Sequence, residues 1–253
     1  MAVALVSPLQ TAYSKFQLGH IRRILSFALQ LDLLLTTPFV RKKVRFLKER
    51  GREHILTFDE ERRYLKAARN PLCDVATLML EMGLRPEEVC SIRRENIHLA
   101  TLPPFLHVPG GKTKNAKRDV VVTERARETL KRRLIQVKGD YIFPVRVGRG
   151  FDWSRPMWEL HPAHYQALEE SEIQPPFQIY YLRHTYGTRA IESGTDPLTL
   201  MRLMGHRDLK ATMRYVHLSK THLAEAQMRI ERYRVRRERE EKEERGKGPR
   251  AVR

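Results

Sequence analysis

The spacing of hydrophobic residues is helical at the start of the chain and alternating near its middle. Five apolar residues of the first segment recur every three or four positions, which predicts an amphipathic helix. They are Ile21, Ile24, Leu25, Ala28 and Leu31. Runs rich in β-branched and aromatic residues at 105–108 and 120–122 predict a β-hairpin with a long basic turn. Residues 141–144 are predicted as a further strand, residues 147–156 as a loop, residues 51–55 as a linker, and the residues after 156 as helical.

Helix start and stop signals refine this prediction. Thr57 followed by Glu60 has the spacing of a capping box, which predicts that a helix begins after residue 57. Further starts are predicted at Pro71, Pro86, Thr123, Asp196–Pro197 and Asp208, and ends at Gly83, Gly194 and Gly205. The helix capped by Asp208 is predicted to carry Tyr215. The sequence therefore predicts a mainly α-helical fold with a small antiparallel β-sheet.

Basic residues greatly outnumber acidic ones. The chain has 48 lysines and arginines against 30 aspartates and glutamates, so its formal net charge is +18. Such a surface attracts polyanions, because each neutralised phosphate releases condensed counterions. The charge therefore favours nucleic acid as the partner. No membrane partner is expected, since the sequence has no apolar stretch long enough to span a bilayer and no basic amphipathic anchor with an aromatic face.

Cysteine usage and the first residues indicate the compartment. The opening segment has a short apolar patch but not the basic start of a signal peptide. The two cysteines, Cys73 and Cys90, argue against a disulfide framework and against a thiolate metal cluster. These features predict a cytoplasmic protein.

Shifts in composition predict three regions. Residues 1–54 are helical in pattern and strongly basic, and they are predicted to form a partial helical DNA-binding module. Residues 55–228 carry the mixed helical and strand pattern and are predicted to form the catalytic domain. Residues 229–253 are charged and basic with few apolar positions, which predicts a solvated helix that fades into a disordered tail.

A chain that acts on nucleic acid needs either metal-bound water or a nucleophile of its own. A two-metal site requires several converging carboxylates, and no such acidic set is apparent in the sequence. His161 and His164 have a ligand-like spacing, but without carboxylate or cysteine support we interpret them as a pair of loop histidines. No metal and no cofactor is therefore expected, and the protein must supply both its nucleophile and its cations.

Four segments carry residues suited to that task. They are GLRPEEV with Arg85, GGKTKNAKRDVVV with Lys112, YYLRHTYGTRA with Arg183, and LMGHRDLKATMRYVHLS with His206 and Tyr215. In order and spacing these segments resemble the conserved boxes of the tyrosine recombinase, or phage integrase, family. The resemblance covers roughly residues 55–220.

Each of these residues has a chemical reason to belong to such a set. The planar, permanently charged guanidinium groups of Arg85 and Arg183 can hold the nonbridging oxygens of a phosphodiester, which suits a two-sided clamp. Tyr215 can attack phosphorus once its phenol loses a proton. His206 can bond the phosphate and orient its neighbours. Glu88, one helical turn after Arg85, is predicted to steady that arginine.

The resemblance assigns two more positions. It makes Lys112 the general acid that protonates the departing 5′-oxygen, although Lys114 and Lys117 compete for that role. It also places Tyr180, three residues before Arg183, where family members generally carry histidine or lysine. A phenol there can donate one hydrogen bond to phosphate, or it can simply pack beneath the helix of Arg183.

The implied activity is site-specific cleavage and rejoining of double-stranded DNA through a 3′-phosphotyrosyl intermediate. The family works as tetramers on paired sites, so self-association on DNA is implied as well. Two alternatives stay open at this point. One is a DNA-binding remnant or regulator of integration that no longer cuts, and the other is a type IB topoisomerase, which would share the chemistry.

Overall fold

The computed structural model describes residues 8–39, 54–110, 117–216 and 220–246. Contacts within the chain divide it into two units, residues 1–53 and residues 54–253. Helix α1 (Pro8–Gln30) lies in the first unit. The predicted three-region division, with boundaries after residues 54 and 228, stays a prediction.

The second unit holds the remaining helices. They are α2 (Phe58–Ala67), α3 (Leu72–Met82), α4 (Pro86–Cys90), α5 (Glu124–Gln136), α6 (His161–Ser171), α7 (Tyr180–Glu192), α8 (Pro197–Met204), α9 (Leu209–Met213) and α10 (Lys220–Gly246). The predicted capping box is present, since the Thr57 hydroxyl accepts from the Glu60 amide while the Glu60 carboxylate accepts from the Thr57 amide. Gly83 and Gly205 end α3 and α8 in the left-handed conformation, as predicted.

The described ranges also contain two small antiparallel sheets. The first has the order β1 (Ile97–His98), β2 (Phe105–Val108) and β3 (Arg118–Val121), and it contains the predicted hairpin. The second pairs β4 (Pro144–Val147) with β5 (Gly150–Pro156). Helices with small antiparallel sheets are the architecture that the sequence predicted.

The predictions for residues 141–156 were wrong. The strand begins at Pro144 rather than Tyr141, which forms only a single bridge to Arg93. The predicted loop at 147–156 contains β5, joined to β4 by a two-residue turn with Gly148 at φ +58°. Most side chains of β5 are not buried. The hydrophobic pattern is therefore weak, and the strand is specified mainly by its turn.

Within the described part of the second unit, buried apolar residues form two clusters. The main core joins α2, α3, α5, α6 and α7 to the three-stranded sheet. A smaller cluster lies beside it and contains Leu200, Met204 and Tyr215, with Tyr186, Ala190 and Ile191 packed against them. The candidate tyrosine therefore belongs to the smaller cluster.

None of the helices in the described ranges is long and apolar enough to cross a membrane.

Candidate active site

Three arginines from three different elements surround one buried carboxylate. Glu88 on α4 accepts from Arg85 Nη1 at 2.6 Å, and both of its oxygens accept from Arg118 on β3, at 3.1 and 2.9 Å. Arg183 on α7 lies 3.7 Å from the same carboxylate. The predicted role of Glu88 in steadying Arg85 is confirmed, and the carboxylate also binds two arginines that lie far away in sequence.

The same three arginines hold the end of α8. Arg118 Nε donates to the Leu203 carbonyl at 2.8 Å, and Arg85 Nη2 donates to the Gly205 carbonyl at 3.0 Å. Between them, Arg183 Nη2 donates to the Met204 carbonyl at 2.6 Å. The last carbonyls of a helix have no partner within the helix and carry a partial negative charge. Three consecutive carbonyls at this end are therefore bonded to three separate cations, immediately before His206.

Charge and burial act against each other in this cluster. Burial raises the pKa of Glu88, but the hydrogen bond from Arg118 and the nearby positive charges outweigh it and hold that pKa below its ordinary range. Burial lowers the pKa of Arg183 to about 10, against the opposing influence of the Tyr180 phenol. Both groups therefore stay charged at neutral pH.

Arg183 is completely covered. Its exposed fraction is 0%, and besides Met204 its guanidinium donates to the carbonyl of Gly83 at 2.5 Å, at the end of α3. Arg85 is more open, since 29% of its side chain is exposed. Both arginines of the predicted clamp lie at the Glu88 carboxylate, and Arg85 is the more exposed of the two. Their action as a clamp on phosphate stays a prediction.

His206 follows the end of α8 and is buried. Its Nδ1 shares a hydrogen bond of 2.7 Å with the Thr212 hydroxyl of α9. Burial lowers its pKa to about 4, and the positive charges of Arg183, Arg85 and Arg118 act in the same direction. The imidazole is therefore neutral at physiological pH.

This lowered pKa predicts a loss of stability in acid. An unfolded chain protonates His206 near its ordinary pKa of 6.5, whereas the folded chain does so near 4. The unfolded state therefore binds more protons in that window, and stability falls as pH drops through it. Between pH 7 and pH 5 we expect the wild-type protein to lose about 2 kcal/mol more than His206→Gln.

Urea unfolding of both proteins at the two pH values measures this difference. His164 is also buried, and burial lowers its pKa too, but it is present in both proteins and cancels from the comparison. Equal acid losses in the two proteins would contradict the assignment of the shift to His206.

Tyr215 is buried next to His206. It lies in a turn two residues beyond the end of α9 and not within the helix capped by Asp208, so that part of the prediction was wrong. The helix ends early, at Met213. The Tyr215 ring is nearly parallel to the His206 ring, with centroids 6.1 Å apart, and 3% of the residue is exposed.

A glycine of α7 makes room for the tyrosine ring. A Cβ atom at Gly187 would lie 2.9 Å from Tyr215 Cζ and 3.0 Å from Cε1. These are the ring atoms nearest the hydroxyl, so a side chain at position 187 would displace the hydroxyl-bearing end of the tyrosine. The absence of a side chain at this position therefore defines where the phenol lies.

Tyr180 begins α7, one helical turn before Arg183. Its ring meets His184 edge-on with centroids 5.2 Å apart, and it lines a cavity of about 440 Å³ together with Pro86 and residues of α6. His184 also contacts the rings of Tyr181 and Tyr215. Tyr180 therefore lies between the arginine cluster and an open cavity.

The histidine pair predicted to lie in a loop lies on a helix instead. His161 begins α6, and His164 is buried within it. Nδ1 of His164 shares a hydrogen bond of 2.7 Å with the Tyr64 hydroxyl, and Nε2 lies 2.8 Å from the Phe177 carbonyl. Both ring nitrogens of His164 thus have protein partners. Within the described ranges, no group of three or more potential metal ligands occurs.

Lys112 lies outside the described residues, as do Lys114 and the rest of 111–116. Lys117, the remaining alternative to Lys112 as the general acid, lies within the described residues and is exposed directly before β3. The structure therefore brings together Arg85, Arg183, His206 and Tyr215, with Tyr180 at the edge of the group.

The sequence analysis did not identify Arg118. This arginine pairs with Val108 in the hairpin register, and Val120 pairs with Leu106. Since successive residues of a strand point to opposite faces, Arg118 lies on the face that Val120 buries. An arginine on the buried face of a strand requires a buried carboxylate, and that alternation was the available signal.

Comparisons with known proteins indicate the family to which the chain belongs. The phage integrase family model matches residues 45–222. Tyrosine recombinase XerD of Listeria monocytogenes serotype 4b (strain F2365) is 27% identical over 158 residues, which cover 58% of this chain and 50% of XerD. A putative integrase of Pseudomonas phage Pf1 is 39% identical over 71 residues, 28% of this chain and 21% of that protein. The chain thus spans about half the length, or less, of these two relatives.

Two solved structures have a similar fold. The Tn1549 transposon integrase in complex with circular intermediate DNA has a TM-score of 0.66 at 16% identity, covering 91% of this chain and 87% of that one. A lambda integrase dimer bound to a COC′ core site has a TM-score of 0.64 at 18% identity, covering 81% and 73%. At these identities the likeness concerns the fold. Because the family match covers most of its residues, this chain belongs to the phage integrase family.

Proposed function

We propose that this chain is a site-specific recombinase or integrase that cleaves and rejoins double-stranded DNA with Tyr215 as its nucleophile. The observation that carries the proposal is the position of Tyr215, which packs against His206 at the helix end held by Arg85 and Arg183. A phenol beside a dense cationic cluster suits attack on a phosphodiester. The net charge of +18 further supports a polyanionic substrate.

The proposed reaction exchanges one ester bond for another. The Tyr215 oxygen attacks phosphorus as its proton passes to water, the bond from phosphorus to the 5′-oxygen breaks, and a 3′-phosphotyrosyl bond forms. Lys112 supplies the proton to the departing 5′-oxygen. The arginines stabilise the charge that develops on the nonbridging oxygens. Rejoining reverses these steps with the 5′-hydroxyl of a partner strand, so no nucleotide cofactor is consumed.

Access to the site is restricted in this structure. Arg183 is 0% and Tyr215 is 3% exposed, so a phosphate can reach them only after the side chains that cover them move. Arg85, which is partly exposed, is the first contact that the structure offers. We propose that DNA engages Arg85 before Arg183 and that the cover over Tyr215 opens as the complex forms.

The donor set suits catalysis without a metal ion. Glu88 is the carboxylate at the centre of the cluster, and its oxygens already accept from Arg85 and Arg118. A cation there would have to displace these guanidinium groups. We therefore expect covalent cleavage to proceed in excess EDTA.

The test is to trap the covalent intermediate. The substrate would be a pool of nicked duplexes with randomised sequence around the nick. Cleavage releases a short fragment with a 5′-hydroxyl, and the loss of this fragment prevents rejoining. We expect a covalent adduct that survives denaturation and forms to the same extent in EDTA and in Mg²⁺. Mass spectrometry of its peptides should locate the attached DNA on Tyr215. Adduct formation that disappears with EDTA and returns with Mg²⁺ would refute the mechanism.

The same experiment separates the alternatives. A non-cleaving DNA-binding remnant would retard the duplex on a native gel but leave no adduct in any sequence of the pool. A topoisomerase would form adducts and relax a supercoiled plasmid without joining two sites.

We favour recombination because the matched relatives are recombinases and integrases. We propose that the active form is a cytoplasmic tetramer on paired sites.

Tyr180 provides a separate prediction. We propose that its hydroxyl contacts the phosphate where most family members have a histidine or lysine. Tyr180→Phe is then expected to slow single-turnover cleavage by at least tenfold, since one donor at such a site is worth on the order of 10²–10³ in rate. Tyr180→His should retain or improve the wild-type rate, because the cavity beside residue 180 accommodates the ring.

Single-turnover rates and melting temperatures of both variants distinguish this role from simple packing. If Tyr180 only packs against His184, the phenylalanine variant will cleave at the wild-type rate, and the histidine variant will lose stability through an unpaired polar ring. DNA affinity should change little in either variant, because one contact is small against the whole basic surface.

A further inference from the structure

We infer that Arg118 is a positioning residue that fixes Arg85 and His206 for catalysis by tying the β2–β3 hairpin to α4 and to the end of α8. This inference rests on the proposed function and extends it to a residue outside the set that the family resemblance assigns. The evidence is the set of bonds that Arg118 makes, its burial, and the glycine that lies against it.

The bonds of Arg118 join elements that are far apart in sequence. Its two terminal nitrogens bond the two oxygens of Glu88, and its Nε bonds the Leu203 carbonyl. Glu88 in turn accepts from both the side chain and the backbone amide of Arg85. Arg118 therefore reaches Arg85 through one shared carboxylate and His206 through the last turn of α8.

Burial separates the role of Arg118 from that of a phosphate ligand. Only 8% of its side chain is exposed, the same fraction as for Glu88, whereas 29% of Arg85 is exposed. Because both terminal nitrogens of Arg118 donate to Glu88, its guanidinium group faces the protein interior. Arg118 thus holds the carboxylate, and Arg85 presents its own charge at the surface.

Gly205 shows how closely Arg118 packs under the histidine. A Cβ atom at Gly205 would lie 2.6 Å from Arg118 Nη1 and 2.9 Å from Cζ. The glycine also adopts φ +62°, a conformation that disfavours other residues. Glycine at position 205 suits the left-handed backbone, and a side chain there would also displace the guanidinium of Arg118.

Two substitutions at position 118 separate charge from geometry. Arg118→Gln removes both, whereas Arg118→Lys keeps a positive charge but cannot bond two carboxylate oxygens and a carbonyl at once. On the substrate selected by the wild-type protein, we expect both variants to cleave about 10–100-fold more slowly at saturating DNA. DNA affinity should stay within about twofold of the wild-type value.

The titration of His206 gives a readout that a role confined to the hairpin and α4 would not change. Arg118 is one of the positive charges that lower the pKa of His206. We expect Arg118→Gln to move that pKa upward from about 4 in NMR titration of the labelled imidazole, and Arg118→Lys to leave it nearly unchanged. This measurement needs no DNA, so it tests the inference even if the wild-type protein does not cleave.

Arg133→Gln is the matched control. Arg133 is similarly buried, with 11% of its side chain exposed, and it forms an ion pair with the buried Asp74 away from the candidate site. The Arg133→Gln variant should be destabilised to an extent similar to Arg118→Gln. Its cleavage rate and the pKa of its His206 should equal those of the wild-type protein. If Arg118→Gln does not fold, Arg118→Lys carries the test. A folded variant at position 118 with wild-type cleavage, or an unchanged His206 titration in folded Arg118→Gln, overturns the inference.

Discussion

Tyr215→Phe is expected to form no covalent adduct while binding DNA as tightly as the wild-type protein. The substitution removes only the phenolic oxygen, and the remaining ring still fills the space against Gly187 and the small cluster of Leu200 and Met204. The expected loss is complete, because no bond to phosphorus can form from that position without the oxygen. Denaturing gels of the nicked pool measure the adduct, and salt-controlled binding curves measure affinity.

Tyr186→Phe is the matched control for this prediction. Tyr186 packs against the same small cluster, and burial raises the pKa of its phenol, so it is a tyrosine of similar surroundings but without the position beside His206. It should form the adduct at a rate close to wild type. An adduct that persists in Tyr215→Phe and disappears in Tyr186→Phe would assign the nucleophile to α7 instead.

Glu88→Gln should cause the largest loss of stability among single substitutions at the site. The carboxylate is the common partner of Arg85 and Arg118 and lies near Arg183, and its side chain is 8% exposed. Removing the negative charge leaves buried guanidinium groups without compensation. Breaking a buried pair in this way costs about 3–5 kcal/mol, which is a large part of the stability of an ordinary domain.

Chemical denaturation of Glu88→Gln and Glu87→Gln provides the comparison. Glu87 is the neighbouring residue on α4 and is exposed, so its substitution should change the free energy of unfolding by less than about 0.5 kcal/mol. A Glu88→Gln protein as stable as Glu87→Gln would show that the arginines are held by the α8 carbonyls alone.

Local signals in the sequence predicted the helices well because each signal is made by neighbouring residues. The capping box of Thr57 and Glu60 begins a helix through side-chain hydrogen bonds. Gly83 and Gly205 end helices because glycine adopts the left-handed conformation, and all of these caps lie where predicted. The motif residues Arg85 and Arg183 were found because their spacing resembles a known family. Their shared partner, Glu88, follows from the fold.

The features that escaped prediction depend on contacts between distant segments. Strand β5 has a weak apolar pattern, so its pairing with β4 could not be read from periodicity. Arg118 is one basic residue among several in its segment until the hairpin register shows which face it occupies. The burial of Arg183 depends on carbonyls of α3 and α8, which no local pattern predicts.

The separate packing of Tyr215 has a consequence for how the domain opens. Residues 197–216 contribute to the small cluster of Leu200, Met204 and Tyr215 and not to the main core, and they are tied to the rest of the unit partly through arginine bonds to α8. Cooperative units of a protein follow such boundaries, and a unit with few buried apolar contacts opens at a lower free energy than the whole domain. We therefore expect that Tyr215, the proposed nucleophile, belongs to a segment that detaches and recloses while the main core stays folded.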